Sequence, residues 1–189
     1  MGVAMKKMVL ISVLAALSFA QCELQSMQWT AFKTPLKLGV KGTFDKIAFV
    51  AGKNCLEGAE VIINKHSVDT KNPGRDKTLD EFFFSKLKGD IKAKVLKVNE
   101  KTLDIAVTMN GVTKTVPFTY TKKNGAIEAK GVIDIFDFSA NSALASIAKA
   151  CYDKHQGKTW NDVELTFTID NKTKLDKAKE MIDQVKSMM

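Results

Sequence analysis

With 29 lysine and arginine residues against 21 acids, the 189-residue chain carries a formal charge of +8, but the cations are scattered along it and not bunched. That pattern reads as a solvated surface, and without an interleaved aromatic and basic motif it speaks against a nucleic-acid partner. Only 2 histidines and 3 cysteines are present, with no CxxC pair and no His/Cys spacing of a metal site, so zinc, dithiol redox chemistry and bound cofactors are not expected.

The chain opens MGVAMKKMVLISVLAALSFAQC. Lys6 and Lys7 precede an apolar run from Met8 to Leu17, and Ser18-Phe19-Ala20 closes it, which is the pattern of a secretory signal cleaved after Ala20. The run is shorter than the roughly 20 residues that span a bilayer. Removing residues 1–20 deletes two lysines and no acid, leaving a formal charge of +6. The expectation is an exported protein, periplasmic, with release outside the cell left open. Cys22 follows the bulky Gln21, where a lipoprotein signal requires a small residue, so acylation is disfavoured. Export permits a disulfide. The reading pairs Cys55 with Cys151 and leaves Cys22 over, with three reduced thiols as the alternative.

Period-two alternation dominates the rest. Early strands are expected at 27–33, 38–50, 59–69 and 91–99. In TLDIAVTMNG, Leu103, Ile105, Val107 and Met109 alternate with polar or small residues, the mark of a strand with one buried face. VTKTVPFTYT places Val112, Val116, Phe118 and Tyr120 on one side, and Asn110-Gly111 between the two runs is a hairpin turn. A second turn at Asn124-Gly125 leads into AIEAKGVIDIFDF, with Ile127, Ala129, Gly131, Ile133 and Ile135 on one face. Val163, Leu165, Phe167 and Ile169 alternate in NDVELTFTID.

Helical spacing interrupts this rhythm three times. It does so at 76–87 after a Pro-Gly turn, in an excursion near 141–155, and in the tail 172–189, where Leu175, Ala178, Ile182 and Val185 form one stripe expected to dock on the domain. The predicted class is all-β with helical additions, an antiparallel barrel of about eight strands. The domain reading is a signal at 1–20, a barrel at 21–171 and a terminal amphipathic helix at 172–189.

Catalytic constellations are missing from this pattern. His66 and His155 have no sequence neighbour that would activate them, and no phosphate loop, GxSxG elbow or HExxH occurs. An eight-stranded barrel has room for one small ligand, and this one is lined with Ile, Val, Leu, Phe and Met. The chain therefore reads as a binding protein and not an enzyme.

The stretch AEVIINKHSVDTKNPGRDKTLDEFFF resembles the YceI-like family of exported lipid-binding proteins. The resemblance rests on Ser67, Val68, Asp69 and Thr70, then Arg75-Asp76, Leu79 and the pair Phe82-Phe83, with support from VKGTFDKI and MNGVTKTVPF. The chain departs from the family pattern at QWTAFKTP and DIFDFSAN, which marks a divergent branch. The resemblance implies a lipocalin-like barrel around a long apolar tunnel that holds a polyisoprenoid, fatty acid or fatty amide. Arg75 and Asp76 then fix the loop by bonding its backbone and each other, Asp76 caps the short helix, and Phe82 and Phe83 cover the barrel.

The expected lining is Phe44, Leu103, Ile105, Val107, Phe118, Ile133, Ile135, Leu165 and Phe167, with Phe82 and Phe83 above. Periodicity alone does not say which of these pack and which face a cavity. The alternative is a secreted interaction factor whose barrel is filled. Transient contact with a membrane surface and homodimerisation are both compatible with the sequence.

Overall fold

Alternating side chains along this chain build one strongly curved antiparallel sheet. The structure, a computed structural model, describes residues 22–172 and 174–188, so the expected leader and the side chain of Leu175 lie outside it. Ten strand segments appear: β1 (Glu23–Lys33), β2 (Leu38–Phe44), β3 (Ile47–Val50), β4 (Glu60–Ile63), β5 (Val68–Asp69), β6 (Ile91–Val98), β7 (Thr102–Met109), β8 (Val112–Lys123), β9 (Ala126–Asp134) and β10 (Thr159–Asp170). Helix α1 (Pro73–Phe82) follows β5, α2 (Asn141–Ala150) lies between β9 and β10, and α3 (Lys174–Ser187) ends the chain.

Strand order is β3-β4-β6-β7-β8-β9-β10-β1-β2-β5. Its two ends are the same two chain passes, because β2 runs on into β3 and β4 runs on into β5. Between the paired segments Phe44↔Val68 and Ile47↔Ile63, the Asn64 N–H donates to Lys46 O at 3.0 Å and the Asp45 N–H to Ser67 O at 2.8 Å. These bonds bridge a kink at the 3-10 turn Lys65–Ser67. Ten segments thereby reduce to eight continuous passes, each bonded to two neighbours, which is the expected barrel. Closure satisfies the edge groups that an open sheet would leave for aggregation.

Inside the barrel the alternation holds residue by residue. Leu103, Ile105, Val107 and Met109 of β7 are all buried, and their neighbours are less so. Both hairpin turns adopt the left-handed conformation that Asn-Gly supplies, with φ of 53° and 76° at Asn110-Gly111 and 51° and 73° at Asn124-Gly125. Two further glycines make room for aromatic rings. Gly131 pairs with Phe118, and a Cβ there would lie 2.8 Å from the Phe118 ring; Gly42 pairs with Trp29, and a Cβ would lie 2.2 Å from the indole.

Several expectations need correction. Helix α1 begins at Pro73 and not 76, because Asn72 Oδ1 accepts from the Arg75 N–H at 3.0 Å as N-cap and proline occupies the first helical position. Ile135 lies in a 3-10 turn after β9, not on the strand with Ile133. The disulfide joins Cys22 to Cys55, and Cys151 is a buried free thiol. Cys22 immediately precedes β1, so the disulfide ties the start of that strand to Cys55. Ala178, Ile182 and Val185 of α3 are exposed and do not dock on the barrel as expected.

Candidate binding cavity

A barrel wall is solid where inward side chains touch one another and hollow where they do not. Leu103 and Ile127 are fully buried, but Val163, Leu165 and Phe167 are only half-buried although they sit on the inward face of β10 and pack against the core. The space they face is a cavity of ≈ 580 Å³. Along β1 its wall runs from Leu24 through Met27, Trp29 and Ala31 to Lys33, a path of roughly 30 Å at about 3.3 Å per residue.

Nine of the eleven residues expected to line the interior do so. Phe44, Ile105, Val107, Phe118 and Ile133 contribute from the strands, as do Leu165 and Phe167, while Ile135 and Phe83 contribute from the segments near the helices. Two do not. Leu103 has no exposed surface and is packing core, and Phe82 packs against the core outside the cavity wall. The chain leaves α1 after Phe82 and tightens into the 3-10 turn Phe84–Lys86. That turn swings Phe84, which periodicity did not single out, into the wall, where it meets Phe44 and Phe83 edge-on at 5.3 and 5.1 Å between centroids. Phe118 and Phe167 meet at 5.9 Å on the other side.

Polar wall residues concentrate where the helices meet the barrel. Helix α1 and its cap supply Asn72, Arg75 and Thr78; the segment after α2 supplies Lys154 and His155; Lys33 ends β1, and Thr159 and Trp160 begin β10. Of these Asn72 and Lys154 are exposed, which places the cavity mouth here. Lys33 pairs across strands with Thr159, whose Oγ1 lies 2.7 Å from His155 Nδ1. Burial holds His155 below the usual imidazole range, and the Lys33 and Lys154 ammonium groups push it further down. Trp160 is fixed by its Nε1–H donating to Thr34 O at 2.9 Å, with Lys158 and Lys37 over its ring at 4.5 and 5.0 Å. Deeper in, Trp29 is buried and its Nε1–H has no protein acceptor.

The family model for the YceI-like domain matches residues 20–171. The chain belongs to the YceI-like family. Among solved structures, this YceI-like chain is similar to a polyisoprenoid binding domain from Saccharophagus degradans implicated in plant cell wall breakdown. The identity there is 14% and the TM-score 0.56, over 81% of this chain and 99% of that one. It is also similar to a Campylobacter jejuni YceI protein, at 20% identity and a TM-score of 0.51 over 89% of this chain and 99% of that one. No curated protein matches the sequence.

The residues of the family motif turn out to hold the barrel seam. Ser67 O accepts from the Asp45 N–H, Ser67 Oγ accepts from the Lys46 N–H at 3.1 Å, and Val68 pairs with Phe44. Asp76 Oδ1 accepts from both the backbone N–H and the hydroxyl of Thr70, at 2.8 and 2.6 Å. It fixes the loop as expected, but the helix cap is Asn72. Arg75 departs from the expectation that it bonds Asp76: its side chain lines the cavity, with no hydrogen bond or ion pair to another described residue.

His66 is paired with Asp80 Oδ1 at 2.6 Å on the exposed flank of α1, away from the cavity wall. Asp69 is held by the Lys71 backbone N–H and ammonium, which keep its carboxyl below the usual range. No group of three or more metal-ligating side chains occurs among the described residues.

Proposed function

We propose that this YceI-like protein is an exported carrier that holds one long apolar chain in its barrel and performs no covalent chemistry on it. The observation that carries this reading is the ≈ 580 Å³ cavity walled by Ile, Val, Leu and Phe side chains, among which Val163, Leu165 and Phe167 stay half-buried on the inward face of β10. It disfavours the filled-barrel interaction factor. The polyisoprenoid-binding description of a structural relative agrees with it.

The energetics favour a long chain over a short one. Each buried methylene contributes about 0.8 kcal/mol, and association costs at least about 4 kcal/mol in lost freedom. Micromolar affinity, about 8 kcal/mol, then needs on the order of 15 methylenes when few polar contacts help. A polyisoprenoid, a fatty acid or a fatty amide meets that requirement.

Export and a periplasmic location are part of the proposal. The Cys22–Cys55 disulfide supports them, since such bonds persist in oxidising compartments. The exposed Met181, Ile182 and Val185 of α3 offer a face for contact with the membrane from which a chain is loaded.

Native mass spectrometry of protein purified from an exporting host, followed by organic extraction, tests the reading. A stoichiometric long-chain adduct is expected. An empty protein that also refuses isoprenoid and fatty chains would overturn it in favour of the interaction factor.

A further inference from the structure

The polar part of the cavity wall has one sign. Lys33, Arg75 and Lys154 all line it, and no aspartate or glutamate does. None of the three has an ion-pair partner among the described residues, whereas Lys37 at the same end is neutralised by Asp162 at 2.8 Å. Connectivity brings them to one mouth. Lys33 is paired with Thr159, Thr159 is bonded to His155, and His155 adjoins Lys154 in the segment that leaves α2. Helix α2 packs against α1, which carries Arg75. The depression of His155 by both lysines shows that each ammonium lies within electrostatic reach of the imidazole. Positive charge at the mouth of an apolar tube suits an amphiphile whose head carries negative charge.

Resting on the carrier reading, we infer that the bound chain ends in an anionic head, a carboxylate or a phosphate, held at the cavity mouth by Lys33, Arg75 and Lys154. Lys154 is exposed and Lys33 and Arg75 are half-buried. The head therefore sits at the water boundary, where a charge need not be fully desolvated, while the tail runs inward past Phe44, Leu165 and Phe167. Neutral heads of the same length forgo the charge-assisted bonds and bind more weakly.

The test is a titration of delipidated full-length protein with palmitate, hexadecyl phosphate, hexadecanol and palmitamide, followed by tryptophan emission, since Trp29 and Trp160 both line the cavity. Palmitate or hexadecyl phosphate should bind about tenfold or more tightly than hexadecanol and palmitamide, an advantage of about 1.4 kcal/mol that shrinks as salt is raised. In the combined variant Lys33→Gln, Arg75→Gln, Lys154→Gln that advantage should vanish while hexadecanol affinity stays within about twofold, which also reports an intact fold. The conservative variant Lys33→Arg, Lys154→Arg should keep it. Whichever of the two anions binds more tightly names the source of the charge. Equal affinity of hexadecanol and palmitate in the wild type would overturn the anionic head and leave the carrier reading standing. Refusal of all four chains, and of isoprenyl alcohols and phosphates as well, would overturn the carrier reading and this inference together.

Discussion

Truncating two leucines on the same barrel separates packing from cavity. Leu103 has no exposed surface and lies outside the cavity wall, whereas Leu165 is half-buried and faces the cavity. Leu103→Ala removes three carbons from a site enclosed on all sides, a transfer loss of about 2.4 kcal/mol to which the new void adds, giving about 3–4 kcal/mol in all. At about 2–4 °C per kcal/mol for a chain of this size, Tm should fall by about 6–16 °C. Leu165→Ala enlarges a space that already exists, so the stability loss should be about 1 kcal/mol. Its effect should appear in affinity instead, as a roughly fivefold weaker Kd for palmitate from about 1 kcal/mol of lost tail contact, against a change within about twofold for Leu103→Ala. Thermal unfolding by circular dichroism and the tryptophan titration supply the two readouts. Equal destabilisation at both positions, with no effect of Leu165→Ala on binding, would refute the division of the interior into core and cavity.

Three further outcomes follow from the same geometry. Cys22→Ser with Cys55→Ser opens a loop of sequence separation 33 and should cost about 4 kcal/mol by the loop-entropy relation; denaturant midpoints measure this, and peptide mapping of the oxidised protein should return Cys22–Cys55 with Cys151 unpaired. Gly42→Ala and Gly131→Ala press a methyl into the Trp29 and Phe118 rings. Each should destabilise by about 1–3 kcal/mol in the same unfolding assay, whereas Gly58→Ala meets no atom within 4 Å and pays only for its φ of 80°.

His155 should titrate by NMR with a midpoint below the usual 6.5, and Lys33→Gln should move that midpoint upward. Because the folded protein disfavours protonated His155, the stability this contributes is present above the unfolded pKa and is lost as pH falls through it toward the folded value. Bound palmitate should raise the midpoint, and hexadecanol should not.

How far the sequence could be read depended on whether an interaction was local. The inward faces of β7 to β10 and the two Asn-Gly turns follow from period two and from left-handed turn chemistry, and both survive into the structure except at Ile135, where β9 has already given way to a 3-10 turn. The start of α1 was also legible, because Asn72 followed by Pro73 is a cap and a first helical position; reading Pro-Gly as a turn concealed it. Partners distant in sequence were not legible. Nothing local distinguishes Cys22 from Cys151 as the partner of Cys55, nor shows that Asp80 meets His66. The switch from Phe82 to Phe84 as a wall residue required knowing that the helix tightens into a 3-10 turn. At the cavity mouth, Lys33, Lys154 and His155 lie at element ends where no periodicity applies, and only barrel closure brings them together. The same closure explains the ten segments where eight strands were expected, since the break at Asp45–Lys46 divides one pass and the 3-10 turn Lys65–Ser67 divides its neighbour without breaking the ring of bonds.

In the proposed carrier the barrel is hollow and occupied by a chain. A crystal structure of protein purified from its native host, without added lipid, tests this most directly. One continuous, elongated density is expected, running from the Lys33, Arg75 and Lys154 mouth inward between Phe44, Phe83 and Phe167. Side chains collapsed across that path, leaving no room for a chain, would contradict it.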